Sequence, residues 1–245
     1  MHIAVCTQAY NEAKILPYFL RHYLPLANAG LRVYVDPDTN DDTVSMLEKT
    51  SGVAILGLPP FKLDDLKFVG WARNEINKIS ADIILWVDPD EFIVAPEGDL
   101  RSILEEDKLA GHALVKPSEG WQMISREFPE TYRQIYTVVK TGFPASNYAK
   151  PVIVNSANAN FQWAAGKHSV IPSELVHEDS RLKLLHMRYL GLEYHQNRNR
   201  VNWSRLEAMN RALGHAHEQA PEHENSTEAG FNERLGRAIP VPGLK

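Results

Sequence analysis

The first 115 residues alternate short apolar runs with amphipathic stretches, and this alternation restricts the folds open to the chain. The apolar runs are predicted strands, at 3–6, 31–35, 53–58, 83–87 and from 113 onward. The stretches between them repeat apolar residues at helical spacing, over 15–24, 41–50, 63–80 and 100–109. Strands that alternate with helices in this way predict an α/β domain, with a mostly parallel sheet flanked by helices.

The rest of the chain is less regular. The predicted strands are 132–140, 151–154 and 182–187, and a helix is predicted over 190–213. From Gly214 to Asn225 the sequence has almost no large apolar side chains, so little burial would offset the entropy of ordering this segment. We therefore expect one domain over residues 1–213 and a polar tail or arm over 214–245.

Composition excludes several classes of protein. The 245 residues carry a net charge of −5, so no overall positive field favours nucleic acid. The single cysteine, Cys6, cannot form an intrachain disulfide, which disfavours an oxidised, secreted scaffold. The N-terminal apolar run is too short for a signal peptide, and no run reaches the ~18 residues of a membrane helix. We expect a cytoplasmic protein, for which peripheral membrane contact stays open.

Three carboxylates follow the predicted strand 83–87 directly, at Asp88, Asp90 and Glu91. Three negative charges this close repel one another, which costs free energy unless a positive charge lies among them. One explanation is a solvated acidic turn, because Asp-Pro-Asp is a favourable turn sequence. The alternative is a divalent cation held by carboxylate oxygens, with positions left for phosphate. The location favours the cation, since α/β sheets bind ligands at the carboxyl ends of their strands, where Asp36 also lies.

Four segments, in this order and spacing, resemble the family 2 glycosyltransferases of GT-A (Rossmann-like) fold. They are Tyr10-Asn11-Glu12, the acidic stretch 35–43, Gly70-Trp71-Ala72-Arg73-Asn74 and the strand end 86–92. The Asp-x-Asp-Glu-Phe sequence at 88–92 is similar to a branch that also resembles family 92. The resemblance implies a GT-A domain with a C-terminal helical extension. It also implies sugar transfer from a nucleotide-sugar, with a UDP-sugar expected, to a saccharide or other hydroxyl acceptor in glycan or polysaccharide synthesis.

The resemblance assigns roles to particular residues and implies Mn²⁺ or Mg²⁺ as cofactor. The residues expected to border the nucleotide are Thr7, Ala9, Glu12, Asp36, Arg73 and Asp88. Asp36 would accept a hydrogen bond from the base, and Asp90 would ligate the metal directly with Asp88 beside it. Arg73 would approach the diphosphate, or else form a structural ion pair. The family commonly has Asp-Asp-Gly-Ser where this chain has Asp36-Pro37-Asp38-Thr39, which leaves the base preference open.

GT-A enzymes often add a histidine to the metal site, and His186 is the first candidate here and His168 the second. A structural role is an equal alternative for each. An inverting transferase also needs a carboxylate base, for which Glu119 is the first candidate after the fifth strand. Other carboxylates compete for that role, namely Glu127, Glu130, Glu178 and Asp179. A retaining mechanism stays open.

Two other functions share this α/β frame. A sugar nucleotidyltransferase would normally carry a glycine-rich phosphate loop after the first strand, and residues 7–11 contain no glycine. A non-catalytic nucleotide- or carbohydrate-binding protein would not need the pair Asp88 and Asp90. Both alternatives are therefore less favoured than a glycosyltransferase.

Overall fold

The computed structural model describes residues 1–61, 64–155, 160–207, 210–211 and 219–244. The strands are β1 (Ile3–Ala9), β2 (Leu31–Val35), β3 (Val53–Gly57), β4 (Ile83–Trp86), β5 (Glu91–Val94), β6 (Leu114–Ser125), β7 (Thr141–Pro144), β8 (Ile153–Val154), β9 (Gln162–Trp163), β10 (Val170–Ile171), β11 (Val176–Leu190) and β12 (Ile239–Pro240). The α-helices are α1 (Leu16–Tyr23), α2 (Thr43–Glu48), α3 (Asp65–Ile76), α4 (Leu100–Leu109), α5 (Leu192–Arg205) and α6 (Glu224–Arg237).

Ten of these strands form one sheet, and β9 pairs with β10 in a separate ribbon. Parallel pairing runs through β3, β2, β1 and β4, and it also joins β6 to β11. The remaining pairs are antiparallel, with β8 between β4 and β6, β7 beside β6, and β5 beside β11. The predicted α/β architecture, a sheet flanked by helices with more helices at the C-terminal end, is confirmed.

The central strands are buried on both faces, which explains their continuously apolar sequences. In β1, Ile3 and Val5 belong to one apolar cluster, whereas Ala4 and Cys6 belong to another. This alternation is the two-residue period of a strand. Helices α1 and α4 contribute to the first cluster and α3 to the second, so helices cover both faces of the sheet. No helix in the described part of the chain is long and apolar enough to cross a membrane.

The predicted strand at 132–140 is wrong. This segment is irregular, with a short 3-10 turn at Ile135–Thr137. Its buried apolar residues are Ile135 and Val139, four positions apart, whereas Tyr132 is 97% exposed. That spacing matches a turn of helix rather than the two-residue alternation of a strand. The helix predicted over 190–213 begins at Leu192 and ends at Arg205, and parts of the predicted remainder, 208–209 and 212–213, lie outside the described residues.

The predicted boundary between residues 213 and 214 also lies outside the described residues. Beyond it, residues 219–244 form an arm that joins the sheet. Strand β12 pairs with β7, with Ile239 opposite Gly142, and the Val241 side chain reaches the main core. On α6, Phe231 is only 2% exposed and its ring packs near those of Tyr189 and His195. Phe231 and Val241 are thus buried by this docking, whereas Ile239 on β12 stays 48% exposed.

Replacing Phe231 with alanine should lower the free energy of unfolding by about 3 kcal/mol, because the change leaves a cavity between α6 and the sheet. Asn232→Ala on the exposed side of the same helix is the matched control. Urea unfolding would measure both variants. Equal stability of the two would show that α6 does not pack as described.

His22 is a partly buried histidine on α1, and its hydrogen bonds define which of its ring nitrogens carries a proton. Its Nε2 lies 2.9 Å from the carbonyl of Ile93, to which it must donate, so Nδ1 accepts from the hydroxyl of Tyr136 at 3.1 Å. Burial lowers the pKa of His22 from 6.5 to about 4. The neutral imidazole is therefore the form that fits this site.

Because the folded state resists the proton, stability should fall as the pH drops from about 6.5 to about 4. The unfolded chain protonates His22 across that range while the folded chain does not, at a cost of up to about 3 kcal/mol. His22→Gln can keep both hydrogen bonds without the charge, so its loss of stability in this range should be smaller. His2→Gln, which removes an exposed histidine, should follow the wild type. Denaturant unfolding at several pH values measures this, and identical profiles for His22→Gln and wild type would contradict it.

Candidate active site

A cavity of about 990 Å³ opens where the parallel strands β1, β2 and β4 end. Ala9 is the last residue of β1, Asp36 follows β2 and Asp88 follows β4 by two residues. The sequence-predicted residues that line the cavity are Ala9, Glu12, Asp36, Asp88, Asp90, His168 and His186. The parallel sheet thus brings together residues that are as far as 177 positions apart in the chain.

Asp88 is held by two lysines. Its Oδ1 lies 2.5 Å from Nζ of Lys167, its Oδ2 lies 3.4 Å from Nζ of Lys150, and Gln8 also donates to it. Burial raises the pKa of Asp88, but the two lysines outweigh this and bring it down to about 2. Lys150 is shared with the buried carboxylate of Glu91 at 2.6 Å. Asp88 is therefore a carboxylate already compensated by protein cations.

Lys167 reaches this position from a left-handed turn. Gly166 and Lys167 both have positive φ, at 65° and 59°. A Cβ on Gly166 would lie 2.7 Å from the ring of His168, so the turn requires glycine there. Nδ1 of His168 donates to the carbonyl of Asn147 at 2.6 Å. Burial, followed by the charge of Lys150, lowers the pKa of His168.

Asp90 and His186 form the pair best suited to a metal. Nδ1 of His186 lies 2.8 Å from Oε1 of Gln122, an acceptor, so Nδ1 carries a proton. In the neutral ring, Nε2 then presents a lone pair to Oδ2 of Asp90 at 3.3 Å. Two acceptors that face each other need a proton or a metal ion between them. The ring is also fixed by stacking on Tyr148, with centroids 4.3 Å apart, as outer partners commonly fix metal-ligating histidines.

The neighbours of Asp90 set its charge. Burial alone would raise its pKa, but His186 and then Arg198 hold it well below its usual range. Asp90 is therefore ionised and able to ligate. Asp88 and His168 do not complete a compact set with this pair: within the described residues, these four side chains do not offer three ligand atoms within 4.8 Å of one another.

Two arginines of α5, which the sequence analysis missed, pair with acids of the N-terminal half. Arg198 bridges Glu12 and Asp90, and it lies 3.3 Å from Oδ2 of Asp90. Arg205 pairs with Asp36, and its guanidinium stacks on Tyr10 at 3.5 Å from the ring centroid. The two arginines are seven residues apart, which places them two turns apart on the same face of the predicted helix. This spacing is the sequence feature that could have identified them as a pair facing the acidic strand ends.

Glu12 depends on Arg198. Burial raises the pKa of Glu12 to about 7, although Arg198 opposes the shift.

At pH 8, Arg198→Met should lower the free energy of unfolding by about 3–5 kcal/mol, because it leaves a buried carboxylate without its cation. The double variant Glu12→Gln with Arg198→Met should regain most of that loss. Denaturant unfolding of both measures the effect, and a double variant as unstable as the single one would refute the dependence.

The structure does not bring Glu119 to the cavity. On β6, side chains alternate between faces, so Glu119 lies on the face opposite to Gln122, which lines the cavity. Its carboxylate lies 2.5 Å from Nζ of Lys183 and accepts from Trp121 at 2.7 Å. Partial burial raises the pKa of Glu119, but these two partners bring it below its usual value. The geometry therefore does not support Glu119 as the base.

Arg73 and Thr7 are also not among the residues that line the cavity. The Arg73 guanidinium lies over the ring of Phe161, 4.5 Å from its centroid, and donates to Asn77 at 2.6 Å. This placement fits a structural role better than contact with a diphosphate. Thr7 is fully buried within β1.

No protein-family model and no curated protein matches the chain. Solved structures with partial likeness exist. Staphylococcus aureus TarS is 14% identical, with 96% of this chain and 43% of that chain covered and a TM-score of 0.46. TarS 1-349 in complex with UDP-GlcNAc is 12% identical, with 97% and 73% covered and a TM-score of 0.42.

A third structure is the glucosyl-3-phosphoglycerate synthase of Mycobacterium tuberculosis with Mn²⁺, UDP and glucosyl-3-phosphoglycerate. It is 20% identical, with 47% of this chain and 43% of that chain covered and a TM-score of 0.33. The chain thus spans 43% of the first TarS chain and 43% of the synthase chain. At these scores the likeness is partial, and it does not by itself fix the fold or the activity of this chain.

Proposed function

We propose that this protein is a metal-dependent glycosyltransferase of GT-A type that transfers a hexose from a UDP-sugar to a hydroxyl acceptor. The observation that carries the proposal is the convergence of Asp36, Asp88 and Asp90 with His186 in one cavity at the carboxyl ends of the parallel strands. Ligands of open α/β sheets bind at this edge. The volume of about 990 Å³ is in the range of ligand sites and can hold a nucleotide-sugar. The four sequence segments that resemble family 2 support the same assignment.

Within this proposal, the base end of the donor lies near Asp36. Its Oδ1 already accepts the backbone N–H of Asp38 at 2.9 Å, so the carboxylate is held in a fixed orientation. The ring of Tyr10 lies beside it under Arg205. Asp36 accepts an N–H of the base, while Ala9 and Glu12 border the nucleotide.

Asp90 and His186 would hold Mn²⁺ or Mg²⁺ at the diphosphate end. The ion, when bound, neutralises the negative charge that develops on the departing diphosphate. Asp88 lies beside the ribose and is kept ionised by Lys150 and Lys167. Arg198, which already contacts Asp90, supplies a further positive charge at this end of the cavity.

The metal assignment predicts positive coupling between Mn²⁺ and UDP. Mn²⁺ should tighten UDP binding to the wild type, because phosphate oxygens complete the coordination of the ion. Asp90→Asn, which keeps the shape and removes the charge, should abolish this tightening and nearly all transfer. Glu119→Gln is the matched control, a carboxylate outside the cavity that should change neither. Calorimetric titration of UDP with and without Mn²⁺ measures the coupling.

If Mn²⁺ tightens UDP equally in wild type and in Asp90→Asn, the ion is held elsewhere. If Glu119→Gln loses transfer but keeps UDP binding, Glu119 acts in catalysis despite its position. Release of UDP from a panel of UDP-sugars tests the activity itself. Binding of UDP-sugars without any turnover would instead identify a non-catalytic binding protein, and release of pyrophosphate from a nucleoside triphosphate and a sugar phosphate would identify a nucleotidyltransferase.

A further inference from the structure

A second cluster of metal-ligating side chains lies where α4 ends and β11 begins. Asp107, His112 and His177 place one ligand atom each within 4.8 Å of one another, and they are the set of three that meets this limit within the described residues. His177 is opposite Val115 in the parallel pair of β11 and β6, seven residues along β6 from Gln122 in the cavity. At about 3.3 Å per residue, the cluster is about 20 Å from the proposed active site.

The backbone builds this cluster from the end of a helix. Gly111 has φ +82°, and this left-handed residue reverses the chain after α4. The reversal returns His112 over the last turn, where its backbone N–H donates to the carbonyl of Asp107 at 3.4 Å. His177 arrives from the first residues of β11. The end of α4, the turn after it and the start of β11 thus bring two imidazoles and a carboxylate within 4.8 Å of one another.

The two imidazoles are parallel, with ring centroids 3.8 Å apart and an interplanar angle of 3°. Within the described residues, neither ring makes a hydrogen bond. The ring nitrogens are therefore available to bind a metal ion. Nε2 of His177 lies 3.9 Å from Oδ1 of Asp107. Both histidines also line a hollow of about 380 Å³, through which an ion and a water ligand can enter.

Asp107 supplies the independent evidence for a missing cation. It is only 3% exposed, and its buried Oδ2 has no hydrogen-bond donor. A buried carboxylate oxygen without a hydrogen-bond donor has lost its hydration without compensation, which costs free energy. The cation nearest to it in the described structure, Arg181, lies 3.7 Å from Oδ1 and is occupied elsewhere, because it pairs with Asp179 at 2.6 Å and with Glu106.

The local charge count favours a dication. Three carboxylates, Glu106, Asp107 and Asp179, face the single guanidinium of Arg181, which leaves two carboxylates in excess, and Asp107 and Asp179 lie close enough to share a hydrogen bond. The nearby Glu178 is already paired with Lys116 at 2.7 Å and adds no excess. A bound divalent cation would compensate this excess of carboxylates, as a proton shared by Asp107 and Asp179 would do in part.

We propose that Asp107, His112 and His177 form a binding site for a transition-metal dication, with Zn²⁺ as the best fit. Two imidazole nitrogens and one carboxylate oxygen suit Zn²⁺ and disfavour Mg²⁺ or Ca²⁺, which prefer oxygen ligands. Tetrahedral ligand atoms about 2.1 Å from the ion are about 3.4 Å apart, so the three ligand atoms must move closer and one imidazole must rotate out of the parallel stack for both lone pairs to meet the ion. Both histidines line the hollow, from which a water could supply the fourth ligand, and this site is separate from the proposed Mn²⁺ or Mg²⁺ site.

Titration of the protein with Zn²⁺ alone tests the site, in a His186→Gln background that disables the active-site pair. The background protein should bind one Zn²⁺, and Co²⁺ in its place should give the visible absorption of a tetrahedral nitrogen and oxygen site. Adding His112→Gln and His177→Gln should abolish both signals. Adding His2→Gln, an exposed histidine, should leave both unchanged.

Circular dichroism and thermal unfolding in chelator establish that each variant is folded. Asp107→Asn serves as a second variant, since it removes the third ligand and keeps both histidines, and it should weaken Zn²⁺ binding strongly. Zn²⁺ binding that is unchanged after loss of both histidines would overturn the site, as would a background protein that binds no Zn²⁺. Neither result would bear on the coupling of UDP with Mn²⁺, so the two proposals fail separately.

Discussion

The structure depends on the neutralisation of an acidic sheet edge. Asp36, Asp88 and Asp90 follow buried strands of the N-terminal half, where backbone geometry brings them together and burial makes their charge costly. The opposite charges come from later in the chain, from Arg205, from Lys150 and Lys167, and from Arg198. The two halves therefore meet at the proposed active site through charge as well as through strand pairing.

This arrangement relates stability to binding. The side chains that would meet a nucleotide are already engaged with one another, and Arg198 has two carboxylate partners at once. A ligand that enters the cavity must exchange these internal pairs for its own contacts. Such an exchange replaces one set of charge-assisted hydrogen bonds with another. The binding free energy is therefore the difference between the free energy of the new contacts and that of the internal ion pairs they replace. A site held together in this way is ordered before its ligand arrives.

The elements and residues that the sequence predicted well are those with local signals. Strand β2 and helix α4 begin and end as the apolar periodicity indicates, and the acidic ends of two parallel strands lie in one cavity. The lysines and arginines that pair with these acids were not predicted. Their partners are more than 60 positions away in the chain, and no local sequence pattern indicates a contact over that separation. Glu119 was misplaced for another reason. The strand predicted from residue 113 continues to Ser125, and only its full length decides which face each side chain occupies.

The charge of the cavity gives a physical reason for a metal. Among the described residues, the cationic side chains that line it are Lys14, Lys150, Arg188, Arg198, Arg205 and Arg234, and the carboxylates are Glu12, Asp36, Asp41, Asp64, Asp65, Asp88 and Asp90. These two sets of charges nearly cancel, so the described residues alone offer a diphosphate little net attraction. A dication on Asp90 and His186 would give the cavity a positive balance at the diphosphate end, where the leaving group gains charge. Under the proposed function, metal and diphosphate are therefore mutually dependent ligands of an otherwise nearly neutral site.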